Sequence, residues 1–375
     1  MFAFRRLLVS SIFGPGFRPN ESLILRISSA NQLKMSCSPA KNHNKELCDM
    51  LKELAEYELA VNKNTFKSHA YKQAASTLAH LDRKISSGSE AKELKGIGDK
   101  ISKKIDEYLS SGTMQKLETI RKDTPSEAII HLSRVHGIGS AKAHDLVNEH
   151  GVTSIEQLRE RQDELNLTHH QLIGLKYFED FEKPVPREEI SEVEKVVLDQ
   201  VAKFDPELKV TFCGSYRRGK PESGDADILI TKPSYISTCN KKEGSEILHN
   251  FIKELEKIHL ITDQISLGDV KFMGVFNVHK VKGHKHGEKG TFRRVDIRVC
   301  PSDQYYCHML HFTGSNLFNQ NIRHHAHSKG YTLNEYSLRP VGTTGTPGAP
   351  VIVNSEKDIF EYLDFPYKAP EDRDD

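Results

Sequence analysis

The chain has 375 residues, room for two or more domains with a sizeable core, and its 53 Lys and Arg against 52 Asp and Glu leave a formal charge of +1. That balance excludes a protein held on nucleic acid by global basicity, so any anionic partner must be met by charge placed locally. The six cysteines (37, 48, 213, 239, 300, 307) form no C-x-x-C pair, which points to free thiols in a reducing compartment, and no run of about 18 apolar residues is present to cross a membrane.

Residues 1–40 read as a leader. Arg5, Arg6, Arg18, Arg26 and Lys34 stand there against Glu21, with many serines, as in a mitochondrial transit peptide; a disordered tail, or a shorter product begun at Met35, fits the same composition. Two amphipathic helices follow. Leu47, Met50, Leu51, Leu54, Tyr57 and Leu59 recur at three-to-four spacing, and Ala70, Ala74, Leu78 and Leu81 line one side of a helix over 66–81. Next, Leu94-Lys95-Gly96-Ile97-Gly98 aligns without a gap with Val135-His136-Gly137-Ile138-Gly139 at an offset of 41. Glycines at these places allow a tight turn that brings backbone up to a phosphate, and the following helix N-terminus adds positive dipole. The repeat resembles the helix-hairpin-helix motif, which reads nucleic-acid backbone rather than bases. Turns used only for packing are the alternative.

The copies differ after the turn. Lys100, Lys103 and Lys104 crowd the first, where the second has Ala141, His144 and Asp145. Lys100 and Lys104 share a helix face, away from the stripe of Ile101, Ile105 and Tyr108. Neighbouring ammonium groups favour the neutral amine, and a neutral lysine can form a Schiff base with an aldehyde. A solvated basic face on phosphate fits equally. Residues 123–182 continue helical, and Pro184-Val185-Pro186 marks a boundary.

Beyond it a helix over 190–204 and a strand over 210–213 lead to Cys213-Gly214-Ser215-Tyr216-Arg217-Arg218-Gly219, and then to Ser223-Gly224-Asp225-Ala226-Asp227 before an apolar run. Side chains two apart on a strand share a face, so Asp225 and Asp227 are expected side by side, a pairing that needs a cation and suits magnesium. Ser215, Arg217, Arg218 and the amides near Gly214 and Gly224 supply what a triphosphate needs. A solvated turn is the bland alternative. The arrangement resembles the signature of the nucleotidyltransferase superfamily, whose third carboxylate has a candidate in Asp296. There Val295, Ile297 and Val299 alternate with Arg294, Asp296 and Arg298 at strand period. His279, His284 and His286 read as a solvated hairpin loop rather than a metal site. His324, His325 and His327 read as part of a basic, nucleic-acid-facing helix.

Together with Lys271-Phe272-Met273-Gly274, Asp303-Gln304-Tyr305-Tyr306-Cys307, Phe312-Thr313-Gly314-Ser315 and Ser355-Glu356-Lys357-Asp358-Ile359-Phe360, these runs resemble the beta-like DNA polymerases of the X family from about Asn44 to Arg373. The resemblance implies a multidomain α+β fold: a leader over 1–40, an all-helical lyase domain over 41–119 with the first helix-hairpin-helix, and a DNA-binding domain over 120–186 with the second. A nucleotidyltransferase palm with a mixed β-sheet over 187–302 and a small α/β nucleotide-selecting domain over 303–375 complete it. It implies template-directed gap filling on gapped or nicked DNA from dNTPs, in base-excision repair, with 5′-deoxyribose-phosphate lyase activity. Asp225, Asp227 and Asp296 would hold two magnesium ions, which manganese can replace. Ser215, Arg218, Gly224 and Asp225 would bind the nucleotide with Phe312, Gly314 and Asn319. Lys104 would be the lyase nucleophile. DNA contacts would come from Lys67, Tyr71, Lys92, Lys100, Gly96, Gly98, Gly137, Gly139, Arg294 and Arg323. Carbonyls of Lys92, Leu94 and Ile97, and of Ser133, Val135 and Ile138, would each take a potassium or sodium ion. A monomer is expected, with other repair proteins as further partners, in the nucleus and, through the leader, in mitochondria.

The chain departs from that pattern at several places. Phe66 replaces a histidine of the 5′-phosphate pocket, Pro184 a triphosphate-contacting arginine and His311 a tyrosine beside the sugar. Asn316 replaces an aspartate near the incoming base, and Gln320 a template-side lysine. Two other functions stay open: a nucleotidyltransferase that is template-independent or acts on RNA, and a DNA-end-binding scaffold without chemistry.

Overall fold

The computed structural model describes residues 42–239, 241–281 and 290–374. The expectations for the leader and for His284 and His286 lie outside the described residues. Helices α1 (Lys45–Ala60), α2 (Thr65–Ala79), α3 (Gly88–Lys92), α4 (Asp99–Ser111) and α5 (Gln115–Ile120) close around Leu47, Leu51, Leu54, Leu78, Ile105 and Leu117. Asn64 and Ser87 cap α2 and α3 by accepting from the amides of Lys67 and Glu90, so each helix begins where a short polar side chain can satisfy its free N–H groups. The second helix stops two residues short of the expected Leu81.

Helices α6 (Thr124–Ser133), α7 (Ser140–Asn148), α8 (Ile155–Glu160), α9 (His169–Lys176) and α10 (Phe178–Phe181) share a second core around Leu132, Val135, Ile138, Leu146 and Leu158. A capping box between Thr168 and Gln171 fixes the start of α9.

Strand β1 (Val185–Pro186), helix α11 (Arg187–Phe204), strand β2 (Lys209–Phe212), helix α12 (Gly214–Arg217) and strand β3 (Glu222–Ser223) precede β4 (Ala226–Thr231). Helix α13 (Lys241–Lys257), then β5 (Ile261–Leu267), β6 (Lys271–Phe276) and β7 (Arg293–Val299), complete a sheet of order β2-β4-β7-β6-β5. Only β4 and β7 run parallel, so the sheet is mixed, as expected. Val193, Val197 and Val201 of α11 and Leu248, Phe251 and Leu255 of α13 cover one face, meeting Ile228, Ile230, Phe272 and Ile297. Burial along β7 alternates strictly, with Arg294, Asp296 and Arg298 the less buried set. The apolar face is therefore spent on the core, and the acids stand on the other.

Helix α14 (Tyr305–Thr313) packs on Leu229 of that second face through Tyr305 and Met309. Helix α15 (Asn316–Ser328), the β8 (Tyr331–Leu333) and β9 (Leu338–Pro340) hairpin, and α16 (Glu356–Tyr362) gather around Phe318, Ile322, Leu338, Ile359 and Phe360. In α15, His325 Nε2 lies 2.9 Å from the Leu363 carbonyl and its ring packs on Phe365, which corrects the expectation of a nucleic-acid-facing surface for this residue.

Arg373 is fully buried with its guanidinium 5.4 and 5.5 Å from the rings of Phe318 and Phe360. It donates to Glu356 at 2.6 Å, and Glu356 also accepts from Arg217 at 2.6 Å. Burial alone would raise the Glu356 carboxyl, yet the Arg217 hydrogen bonds and the Arg373 charge hold it below its ordinary value. Glu356→Ala would leave two cations uncompensated, and urea unfolding is expected to show a loss of about 3–5 kcal/mol. A loss below about 1 kcal/mol, the scale of an exposed pair, would show that the network carries little.

Candidate active site and nucleic-acid interface

The parallel ladder sets Asp227 of β4 in register with Asp296 of β7. Gly214 has φ +58°, and a Cβ there would collide with the Asp227 carboxylate, so the turn backbone rests on the acid and only glycine fits. Burial, then the charges of Asp225 and Asp296, push the Asp227 carboxyl well above its ordinary range. Burial, then Asp225, raise Asp296 likewise, with Lys271 Nζ 4.0 Å away as a weak counterweight.

Asp225 corrects part of the expected picture. It lies one residue before β4 and its carboxylate is held by Arg294 of β7, yet its charge is the first of those acting on both Asp227 and Asp296, so the three acids do face one another. Arg294, expected on DNA, also donates to His136 Nδ1 at 2.8 Å. Among the described residues no three His, Cys, Asp or Glu side chains are arranged to hold a metal as they stand. The donor set nevertheless fits a divalent cation, because carboxylates that resist ionisation beside one another are relieved by a positive charge between them.

Arg218 donates from Nη1 to the Thr313 carbonyl at 2.6 Å and from Nε to Asp374 at 2.9 Å. A Cβ on Gly314, φ +72°, would come 3.2 Å from Arg218 Nη1, so these two expected nucleotide-site residues meet. Ser215 sits on α12 one turn before, and Gly224 faces open space. Arg217 does not join them; it turns inward to Glu356 and to Thr313 Oγ1 at 2.7 Å, a structural role that corrects its expected share in the triphosphate site. Phe312 lies 5.8 Å from the Arg298 guanidinium. Asn319 donates to the His311 carbonyl at 2.7 Å, and Arg323 donates to His311 Nδ1 at 3.2 Å. Burial, then the Arg323 charge, lower the His311 pKa, so a neutral imidazole accepts here and organises Asn319 and Arg323.

Both repeats fold alike. Gly96 and Gly137 take φ +85° and +90°, and Ile97 and Ile138 donate to Leu94 and Val135 at 3.3 and 2.9 Å. Gly98 and Gly139 begin α4 and α7 with no side-chain cap, facing open space, so first-turn amides are presented outward. The carbonyl sets of Lys92, Leu94 and Ile97 and of Ser133, Val135 and Ile138 flank these turns. Lys92 pairs with Asp99 at 2.6 Å, and Lys67 lies 3.7 Å from Glu58, a fully buried acid also held by Lys116. Tyr71 is in the core beside Ile101 and Ile105, Lys100 is exposed, and Lys104, one turn on, is half-buried. Phe66 stands almost fully exposed at the start of α2.

His136 is the residue that the sequence reading missed. Its ring lies 4.6 Å from that of His170 of α9, tilted by 47°, and burial, then the Arg294 charge, lower its pKa to about 4. It ties the second hairpin to Asp225 through Arg294. The signal lay in the repeat, where Lys95 stands at the matching place in the first copy.

Residues 184–302 match the family described as DNA polymerase beta palm and residues 308–374 the DNA polymerase beta thumb. Residues 42–114 match a helix-hairpin-helix domain and residues 131–182 the fingers domain of DNA polymerase lambda. Over 350 residues, 90% of this chain and 58% of the relative, the chain is 31% identical to DNA polymerase lambda of Rattus norvegicus. Over 372 residues, 95% of this chain and 66% of the relative, it is 28% identical to DNA polymerase lambda of Arabidopsis thaliana. The chain thus spans less than two thirds of the length of either relative. With a beta-type palm whose acids meet on a parallel rung, a beta-type thumb closing over Arg218 and a helix-hairpin-helix domain in front, the chain belongs to the X family of DNA polymerases.

Proposed function

We propose that this chain fills gaps in DNA by template-directed addition of dNMP to a primer 3′-hydroxyl, and that its N-terminal helices carry a 5′-deoxyribose-phosphate lyase. The observation that carries the polymerase reading is the rung pairing Asp227 with Asp296 beneath the Gly214 turn. Asp225, Asp227 and Asp296 would hold two magnesium ions, or manganese, which when bound stabilise the attacking and leaving oxygens of an in-line displacement. Asp296, its proton affinity raised by burial and Asp225, is suited to accept the primer hydroxyl proton. Ser215, Arg218 and Gly224 bind the triphosphate, while Phe312, Gly314 and Asn319 meet the sugar and base. Arg323 and Arg294 contact DNA. The two uncapped hairpin helices hold DNA phosphates, with potassium or sodium on the flanking carbonyls.

In the lyase, the Lys104 amine condenses with the C1′ aldehyde and expels water; a C2′ proton then leaves as the C3′–O bond breaks, the phosphate-bearing DNA end departs, and water hydrolyses the imine to release the unsaturated sugar phosphate and restore the amine. Lys67, Tyr71, Lys92 and Lys100 form the 5′-phosphate pocket. The domains divide near residues 119, 186 and 302, and the protein acts as a monomer in base-excision repair alongside other repair proteins. Nuclear residence, with mitochondrial import through residues 1–40, completes the proposal; the mature N-terminus distinguishes an imported form from one begun at Met35.

The test is single-nucleotide insertion with magnesium into a one-nucleotide gap opposite each template base. Correct insertion at all four supports the reading. Insertion that ignores the template leaves a template-independent transferase, and none at all leaves a DNA-binding scaffold.

A further inference from the structure

Asp374 sits where an anion belongs. Its side chain is 15% exposed; Oδ1 accepts from Arg218 Nε at 2.9 Å, and Oδ2 pairs with the Lys220 ammonium. One carboxylate thus bridges two cations, and one of them is the arginine of the candidate triphosphate site. Lys220 lies in the loop that leaves α12, with its amide on the Ser215 carbonyl at 3.1 Å. The same loop runs into β3, which pairs with β1 so that Pro186 faces Glu222 and Arg187 donates to the Pro221 carbonyl at 2.9 Å. Lys220 therefore carries its charge on a loop beside the segment of Pro184, where the Arg187 guanidinium is taken by the Tyr216 carbonyl and the Lys183 ammonium by Asp180.

The tail can release this carboxylate without unfolding. Its anchor is the neighbouring Arg373, buried between Phe318 and Phe360, whose carbonyl accepts from Ser315 N at 2.9 Å. Asp374 follows that anchor, and its side chain pairs with Arg218 and Lys220.

We propose that Lys220 is the second cation of the subsite for the terminal phosphates of the incoming nucleotide, and that Asp374 fills this subsite until the nucleotide displaces it. The proposal rests on the polymerase reading. A triphosphate offers the same two cations more oxygens and more charge than one carboxylate, so exchange favours the nucleotide, with the intramolecular competitor lowering its apparent affinity. Lys220 supplies charge that the chain lacks at Pro184.

The experiment uses the full chain, steady-state insertion into a one-nucleotide gap, and calorimetry with inorganic tripolyphosphate and magnesium. Lys220→Ala is expected to raise KM for each dNTP about tenfold while kcat changes less than about twofold, with Lys220→Arg restoring most of the loss. Asp374→Asn is expected to lower KM and tighten tripolyphosphate binding by about threefold to tenfold, and Asp374→Glu to behave as the parent. In the Lys220→Ala background the gain from Asp374→Asn should shrink, since one of the two ion pairs is already gone. An unchanged KM in Lys220→Ala would falsify the assignment of Lys220, and an unchanged or raised KM in Asp374→Asn overturns the counter-ion. Failure of the polymerase reading looks different: the parent protein itself then inserts no templated nucleotide.

Discussion

Asp227→Asn is expected to reduce single-nucleotide insertion by on the order of 10³-fold or more, and at the same time to raise the melting temperature of the metal-free protein by a few degrees. The two effects share one cause. In the folded chain the Asp227 carboxyl resists ionisation because it is buried and because Asp225 and Asp296 repel its charge. The unfolded chain has no such resistance, so stability falls as pH rises from the ordinary value of 3.8 through the raised folded value, and stays at the lower level above it. Asparagine keeps the shape under Gly214 and removes the charge, which relieves the repulsion and also removes a proposed magnesium ligand. Magnesium should raise the melting temperature of the parent protein and not of the variant. Insertion within about tenfold of the parent would mean that the reaction does not run through this acid.

Lys104→Ala should abolish borohydride trapping of the chain on DNA with a 5′-deoxyribose phosphate, by on the order of 100-fold or more, while gap filling changes less than about twofold. On the proposed lyase reading the Schiff base forms on the Lys104 amine. Lys100 stands a turn away on α4, exposed to solvent, and Lys92 is paired with Asp99. Lys100→Ala is therefore expected to weaken substrate binding without removing the trapped adduct. Trapping that persists undiminished in Lys104→Ala would move the nucleophile to another lysine.

Much of this fold was legible because its signals are local. The glycine pairs at 96 and 98 and at 137 and 139 predicted turns, and the first of each pair does adopt a positive φ. Alternation along 293–299 predicted both the strand and its polar face. What stayed hidden depends on partners far away in sequence. Arg217 and Arg218 are adjacent and chemically alike, yet one turns inward to Glu356 and the other lies beside Gly314. No pattern in the motif distinguishes them, since the difference is made by α16 and the tail. The attachment of Arg294 to Asp225, added to the expected neighbouring acids, arises in the same way, from a neighbouring strand that enters the sheet only later in the chain.

The pairing of β4 with β7 has a bearing on how this protein can vary. Asp227 and Asp296 are fixed relative to each other by the hydrogen bonds of adjoining backbones, which depend little on the side chains around them. Of the chain between the two strands, α13, β5 and β6 build the core and the sheet, whereas the His-, Lys- and Gly-rich stretch over 279–290 falls between the paired strands β6 and β7, so its length can change while the ladder holds the carboxylates. A reporter peptide or an affinity tag spliced into that stretch is the natural way to label the protein while the paired carboxylates keep their places.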